Sequence, residues 1–329
     1  TGTITSGTTI AAMLDADTGI TESAGSNAYT ITVASGDANA TAANLNSVND
    51  LTTAAVDASN ITSISGVLSA VKTAYSQAVT AISGLGNEAI TVSDSGSVAA
   101  SDLSTVATAN GDGTLAASSV STITGTAEEI IAAYASGVVD SGLGDEAITV
   151  TGTATVAQAN AIDLLTSGTI TATISEGDID TLKTLTNANS LTNGHAYTIT
   201  VTDTTVAAAD LNTINSRTSV AVTASAITTL TGTIAAVDTA LDAGVAGTIT
   251  GLGNEAVTLT DTSGVAVAAL NTLDGLTTGK INAGTITAMS GALTALNTAY
   301  ASNGITGLGN ETLTVSDTGS VAASDLNTL

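Results

Sequence analysis

Eight carboxylates recur at positions from which a binding site could be built. Asp94, Asp203, Asp261 and Asp317 each follow the last apolar residue of an alternating apolar–Thr segment, at the inward parity of a strand. Glu88, Glu146, Glu255 and Glu311 close the phrases GLGNE or GLGDE. If the segments stack in parallel, the four Asp form a column of like charge. A bridging cation relieves such a column, and calcium suits it because it takes six to eight oxygen ligands. The four Asp are therefore the candidate calcium ligands. The competing reading is that each Asp bonds the backbone of its own turn, as in SDSGS and TDTSG. Neither the calcium-binding nonapeptide nor the EF-hand loop occurs. Paired-carboxylate glycoside chemistry has no other feature in its favour.

Other chemistry is excluded by composition. The 329 residues contain one His, no Cys and four basic residues, Lys72, Lys183, Arg217 and Lys280. Nucleophile–His machinery and zinc sites lack their parts. His195 precedes the phrase AYTITV, and the matching position before the earlier copy is Asn27. A required base does not swap to Asn, so His195 reads as a surface or turn residue. The GLGNE phrases lack the Lys of a phosphate loop and read as strand-entry turns in which Gly takes positive φ. Tyr75, Tyr134 and Tyr300 fall on an apolar helical ladder and read as core. Thr91, Thr149, Thr200, Thr258 and Thr314 face outward and would form hydroxyl ladders, which could order ice-like water or simply solvate a sheet.

The elements that must position these residues show in the periodicity. Ile90/Val92, Ile148/Val150, Ile199/Val201, Val257/Leu259 and Leu313/Val315 alternate with Thr, the pattern of short strands with one apolar face. Leu103/Val106, Leu211/Ile214 and Leu270/Leu273/Leu276 then recur every third residue, as in one or two helical turns. Ser101 and Ser324 stand where N-caps belong. A second strand is expected in 113–117, 220–222 and 280–283. A longer helix follows, with the ladders Ile64/Leu68/Val71/Tyr75, Ile123/Ala127/Ile130/Tyr134, Leu230/Ile234/Val237/Leu241 and Met289/Leu293/Leu296/Tyr300.

These elements repeat on a long period. AYTITV occurs at Ala28–Val33 and again at Ala196–Val201, 168 residues apart. The final VAASDLNTL aligns with Val156–Leu164. The chain is read as two super-repeats, 1–166 and 167–329, in a segment of a longer chain. A strand plus a helix every ~27 residues is one coil of an α/β solenoid. The expected fold is a right-handed α/β solenoid of stacked strand–helix coils, with a parallel β-helix as the alternative. Immunoglobulin-like modules need roughly 100 residues each, longer than the spacing between adjacent GLGNE-type phrases.

The phrases ITVSDSGSVAASDL, DLNTLDGLTTG, ITTLTGTIAAVDTAL and GITGLGNE resemble the giant Ala/Thr-rich repetitive surface proteins of cyanobacteria, including those associated with swimming. The resemblance covers nearly the whole chain. It implies export to the cell surface or the medium and a scaffold-like or adhesive role. It carries no catalytic residues.

Composition fits that expectation. The net charge is −25 with 43% apolar residues, which argues for a packed interior and against disorder. Such an acidic surface excludes nucleic-acid backbone binding. No apolar stretch is long enough to cross a membrane. The expected function is structural and non-enzymatic: a repeat segment of an extracellular filament, sheath or surface layer, self-associating or continuing in the same chain, with no resident cofactor unless calcium fills the Asp column. The alternative is a surface-tethered binding module, a calcium-dependent adhesin or, further off, an ice-binding protein.

Overall fold

The computed structural model describes residues 2–4, 8–17, 19–20, 27–78, 80–135, 137–188, 190–192 and 194–329. The chain divides into two compact units. One comprises Thr1–Thr153 with Ala161–Thr171, the other Ala154–Asn160 with Ala172–Leu329.

Both units are built from a short parallel strand, a turn and a helix, used repeatedly. In the first, Ile64 pairs with Ile90 and Ile90 with Leu115, while Val98 pairs with Ile123 and Ile123 with Ile148. In the second, Val206, Leu230, Val257, Ile281 and Ile305 are paired in succession. Each partner thus comes from the next module along the chain. The side chains at these register positions are buried, as one face of a period-two strand requires.

The expectation of a single α/β solenoid is corrected by the sheets. The described strands do not form one continuous ladder; they fall into six separate small parallel sheets of two to five strands. The parallel β-helix alternative fails too, because 12 α-helices lie among the described residues. The chain is a mixed α/β protein. The physical reason is the shortness of the strands, most of which end after two to four residues at a turn or at the start of a helix.

Glycine sets one of those boundaries. Each long ladder begins on a strand, not on the helix: Ile64, Ile123, Leu230 and Met289 belong to Ser63–Gly66, Thr122–Gly125, Thr229–Gly232 and Ala288–Gly291. The helices start after the glycine, as Leu68–Gln77, Ala127–Ala133, Ile234–Ala246 and Leu293–Ala301. A Cβ on Gly291 would lie 2.5 Å from Cγ1 of Val267, and one on Gly125 would lie 3.2 Å from Cβ of Ala100. At Gly291 a bare Cα is what lets the neighbouring helix start this close.

Three other helices follow their strands without a gap. Ala100–Ala109, Ala208–Asn215 and Val267–Leu276 bury Leu103/Val106, Leu211/Ile214 and Leu270/Leu273. Their starts differ from expectation. Ala99 holds the N-cap position that Ser101 was expected to fill, and Ala322 holds the one expected for Ser324. Both serines are the second residue of their helix, within its first turn.

Candidate functional site

Each of the four Asp is bonded to a helix start. Asp94 Oδ2 accepts the first backbone N–H of the preceding module's helix, at Leu68, at 2.6 Å. Asp203 does the same for Ile179 at 2.6 Å, Asp261 for Ile234 at 2.8 Å and Asp317 for Leu293 at 2.7 Å. Asp37, not singled out in the sequence, accepts from Ile10 at 2.7 Å. Each carboxylate therefore faces a helix N-terminus, where orphan N–H groups and the helix dipole favour negative charge. The alternation of modules places a helix start next to each Asp. Among the described residues no three of His, Cys, Asp and Glu come together in a metal-holding group.

One position breaks the pattern and is compensated. Gly152 stands where Asp94 and Asp261 stand in their modules, and it has φ +78°. The helix it would serve, Ala127–Ala133, supplies its own capping box instead. Thr126 Oγ1 accepts from the Glu129 N–H, and Glu129 Oε2 accepts from the Thr126 N–H at 2.8 Å.

The four Glu of the GLG turns build a second recurring arrangement. Glu88 Oε2 accepts the Gly86 N–H at 2.9 Å and lies 2.5 Å from the Tyr75 hydroxyl. Asn110 Oδ1 sits 2.7 Å from the same hydroxyl and accepts the Glu88 N–H at 3.0 Å. Glu146 takes the Gly144 N–H and the Tyr134 hydroxyl, and Glu311 takes the Gly309 N–H and the Tyr300 hydroxyl. Burial, reinforced by the facing carboxylate, pushes the phenols of Tyr75, Tyr134 and Tyr300 well above the ordinary tyrosine range. Burial also pushes Glu311 up. The hydrogen bonds from Tyr300 and the Gly309 N–H outweigh that and hold its carboxyl below the usual value.

The turn geometry follows from the first glycine of each phrase. Gly84, Gly142, Gly251 and Gly307 have φ between +87° and +91°, as expected from the sequence. A Cβ on Gly84 would lie 2.7 Å from the backbone nitrogen of Ser59.

The fourth Glu is different. The ladder position of Tyr75, Tyr134 and Tyr300 is Leu241 here. Glu255 is 0% exposed and accepts the Gly253 N–H at 2.8 Å, but its Oε1 is buried without a partner.

A polar latch recurs beside these turns. Thr52, Thr166, Thr218 and Thr277 donate to the backbone carbonyls of Tyr29, Glu146, Tyr197 and Glu255 at 2.6 to 2.9 Å. All four are buried. His195, expected at the surface or in a turn, is fully buried and packs against Tyr197 with ring centroids 5.0 Å apart.

A cavity of about 390 Å³ in the second unit is lined by neutral groups including Asn215, Ser216, Thr218, Ser219 and Thr248. Their side chains are already committed: Thr218 to Tyr197, Ser219 to the His195 carbonyl, Ser216 to the Thr213 carbonyl and Asn215 to Thr248. Two strand Thr outside the set read as outward bond the backbone of a neighbouring strand. Thr306 Oγ1 donates 3.0 Å to the Ile281 carbonyl, and Thr250 Oγ1 donates 3.3 Å to that of Val222.

Sequence reasoning missed one set of polar residues. The fifth helix residue is Asn46, Asn212, Asn271 or Asn297 in four helices, and each donates its Nδ2 to a carbonyl of the following helix. The signal was the dipeptide Leu-Asn, which stands at Leu45-Asn46, Leu211-Asn212, Leu270-Asn271 and Leu296-Asn297. No family model, no curated protein and no solved structure matches the chain.

Proposed function

We propose that the chain is a structural, non-enzymatic protein of the cell surface or extracellular medium, a repeat segment of a filament, sheath or surface layer with an adhesive role. One observation carries this reading. The eight carboxylates singled out in the sequence recur at equivalent positions, and each accepts at least one hydrogen bond from its own fold. The Asp carboxylates accept from helix N-termini, and the Glu carboxylates accept from turn N–H groups and Tyr hydroxyls. An active site breaks such regularity in one module and leaves reactive groups facing a cleft.

The charge supports the same reading. A net charge of −25 keeps a long assembly from aggregating indiscriminately. Among the described residues no helix is long and apolar enough to cross a membrane. The resemblance to giant cyanobacterial surface proteins points to the same location and role.

Electron microscopy of the purified chain, with and without a calcium chelator, tests the proposal. Filaments or sheets of regular repeat support it, and their loss in chelator would make calcium part of the assembly. Monodisperse particles in both conditions would sink the filament and favour the tethered binding module.

A further inference from the structure

In six places the fifth residue counted from a helix start reaches the third residue of the next helix; Asn160, fifth in Val156–Asp163, instead bonds the Thr184 carbonyl, and Oγ of Ser104, fifth in Ala100–Ala109, is buried without a partner. Asn46 bonds the Ala70 carbonyl at 2.9 Å, Asn212 that of Ala236 at 2.9 Å, Asn271 that of Ala295 at 2.9 Å and Asn297 that of Asp325 at 3.1 Å. Lys72 at the same position pairs with Asp102, and Lys183 with Asp210 at 3.2 Å. In all six the fifth residue is the hydrogen-bond donor. In helix Ile234–Ala246 the fifth residue is Asp238, and the third residue of the next helix is Ala269.

An ionised Asp has no proton to donate. Asp238 and Ala269 line one cavity of about 290 Å³ together with Asp261. Oδ1 of Asp238 is buried without a partner. The charged groups around it offer no relief. Asp242 lies one turn on along the same helix, Asp261 is on the cavity wall, and Asp210 of the preceding helix is held by Lys183. Asp274 of the following helix accepts from Ser302 at 2.6 Å.

We propose that Asp238 is a proton-operated latch between helices Ile234–Ala246 and Val267–Leu276. Protonated, it donates to the following helix as Asn does at this position elsewhere. Ionised, it presents an acceptor to an acceptor, and the link is lost. Burial first, and then the Asp242 charge, hold its carboxyl above the ordinary range. A raised folded-state value gives stability that is fully present below the unfolded value of about 3.9 and is lost as pH rises through the folded one. The latch therefore closes in acid and opens toward neutrality.

The test is Asp238→Asn in the full chain, followed by denaturant unfolding from about pH 3 to about pH 8. Asn is a permanent donor, so the variant should match the wild type at the acid end. At the alkaline end it should exceed the wild type by about fivefold in the folding equilibrium constant, the equivalent of one net hydrogen bond. Asp242→Asn, which removes the neighbouring charge without supplying a donor, should gain less. An equal gain for D238N at both ends, or no gain at about pH 8, would overturn the latch. So would calcium at about pH 8 stabilising the wild type as much as acid does while leaving D238N unmoved, because a metal ion would then be the occupant.

Discussion

The Tyr75 hydroxyl lies 2.5 Å from Oε2 of Glu88, and both residues are buried. The bond joins a helix to the turn that follows it, so each such pair fixes the entry of one strand. At the position matching Tyr75 the third module of this kind has Leu241, and Oε1 of Glu255 is left without a donor. A buried acceptor without a partner costs about 1–3 kcal/mol. Leu241→Tyr supplies the missing hydroxyl and should raise the unfolding free energy by about 1 kcal/mol. Tyr75→Phe should lower it by about 1–3 kcal/mol. Denaturant titration of the two variants checks both; a destabilised L241Y beside a neutral Y75F would mean that the hydroxyl contributes nothing.

The same phenols set an alkaline limit. Burial and the adjacent Glu hold Tyr75 and Tyr134 above their ordinary range, so the folded chain keeps protons that the unfolded chain releases. Their stabilisation is fully present below about pH 10, the ordinary tyrosine value, and falls as pH rises beyond it. The wild type should lose stability steeply above that point. The double variant Tyr75→Phe, Tyr134→Phe should show a shallower slope, and unchanged slopes would refute the assignment.

Helix caps differ in redundancy, and mutation should reveal it. Helix Ile234–Ala246 has two devices: Thr233 accepts from the Ala236 N–H and Asp261 from the Ile234 N–H. Helix Ala127–Ala133 depends on Thr126 and Glu129 alone, with Gly152 where the neighbouring Asp would be. Thr126→Ala should cost about 1–2 kcal/mol, since it removes one half of a capping box. Thr233→Ala should cost roughly half of that. Equal losses measured by thermal unfolding would show that Asp261 gives no support.

These contrasts mark what the sequence reveals and what it hides. The strands around Ile90, Val257 and Leu313 and the helical runs through Leu103 and Leu270 follow directly from apolar period, because burial of one face is a local pattern. The positive φ of Gly84 was legible for the same reason: a two-glycine turn has few solutions. The partner of Asp94 was not. Its acceptor oxygen meets Leu68, 26 residues earlier, and which group lies alongside depends on how modules alternate, not on the residues next to it in sequence. The division into six sheets was hidden likewise, because strand length is set by glycines such as Gly291 that admit a neighbouring helix. His195 misled through its counterpart Asn27: variability between copies is compatible with burial when the neighbour, here Tyr197, packs over the ring.

The role of the four candidate Asp residues can be separated from calcium by one substitution. Asn accepts a helix N–H nearly as well as Asp does but contributes no charge to a cation. If Asp94, Asp203, Asp261 and Asp317 act as caps for Leu68, Ile179, Ile234 and Leu293, each Asp→Asn change should cost under about 1 kcal/mol and each Asp→Ala change about 1–2 kcal/mol. The quadruple Asn variant should then melt at the same temperature with calcium as with chelator, and so should the wild type. If calcium raises the melting temperature of the wild type but not of the Asn variant, the carboxylates hold a cation as well as a helix end. If Asn and Ala cost the same, the negative charge at the helix N-terminus, and not the hydrogen bond, is what the fold uses.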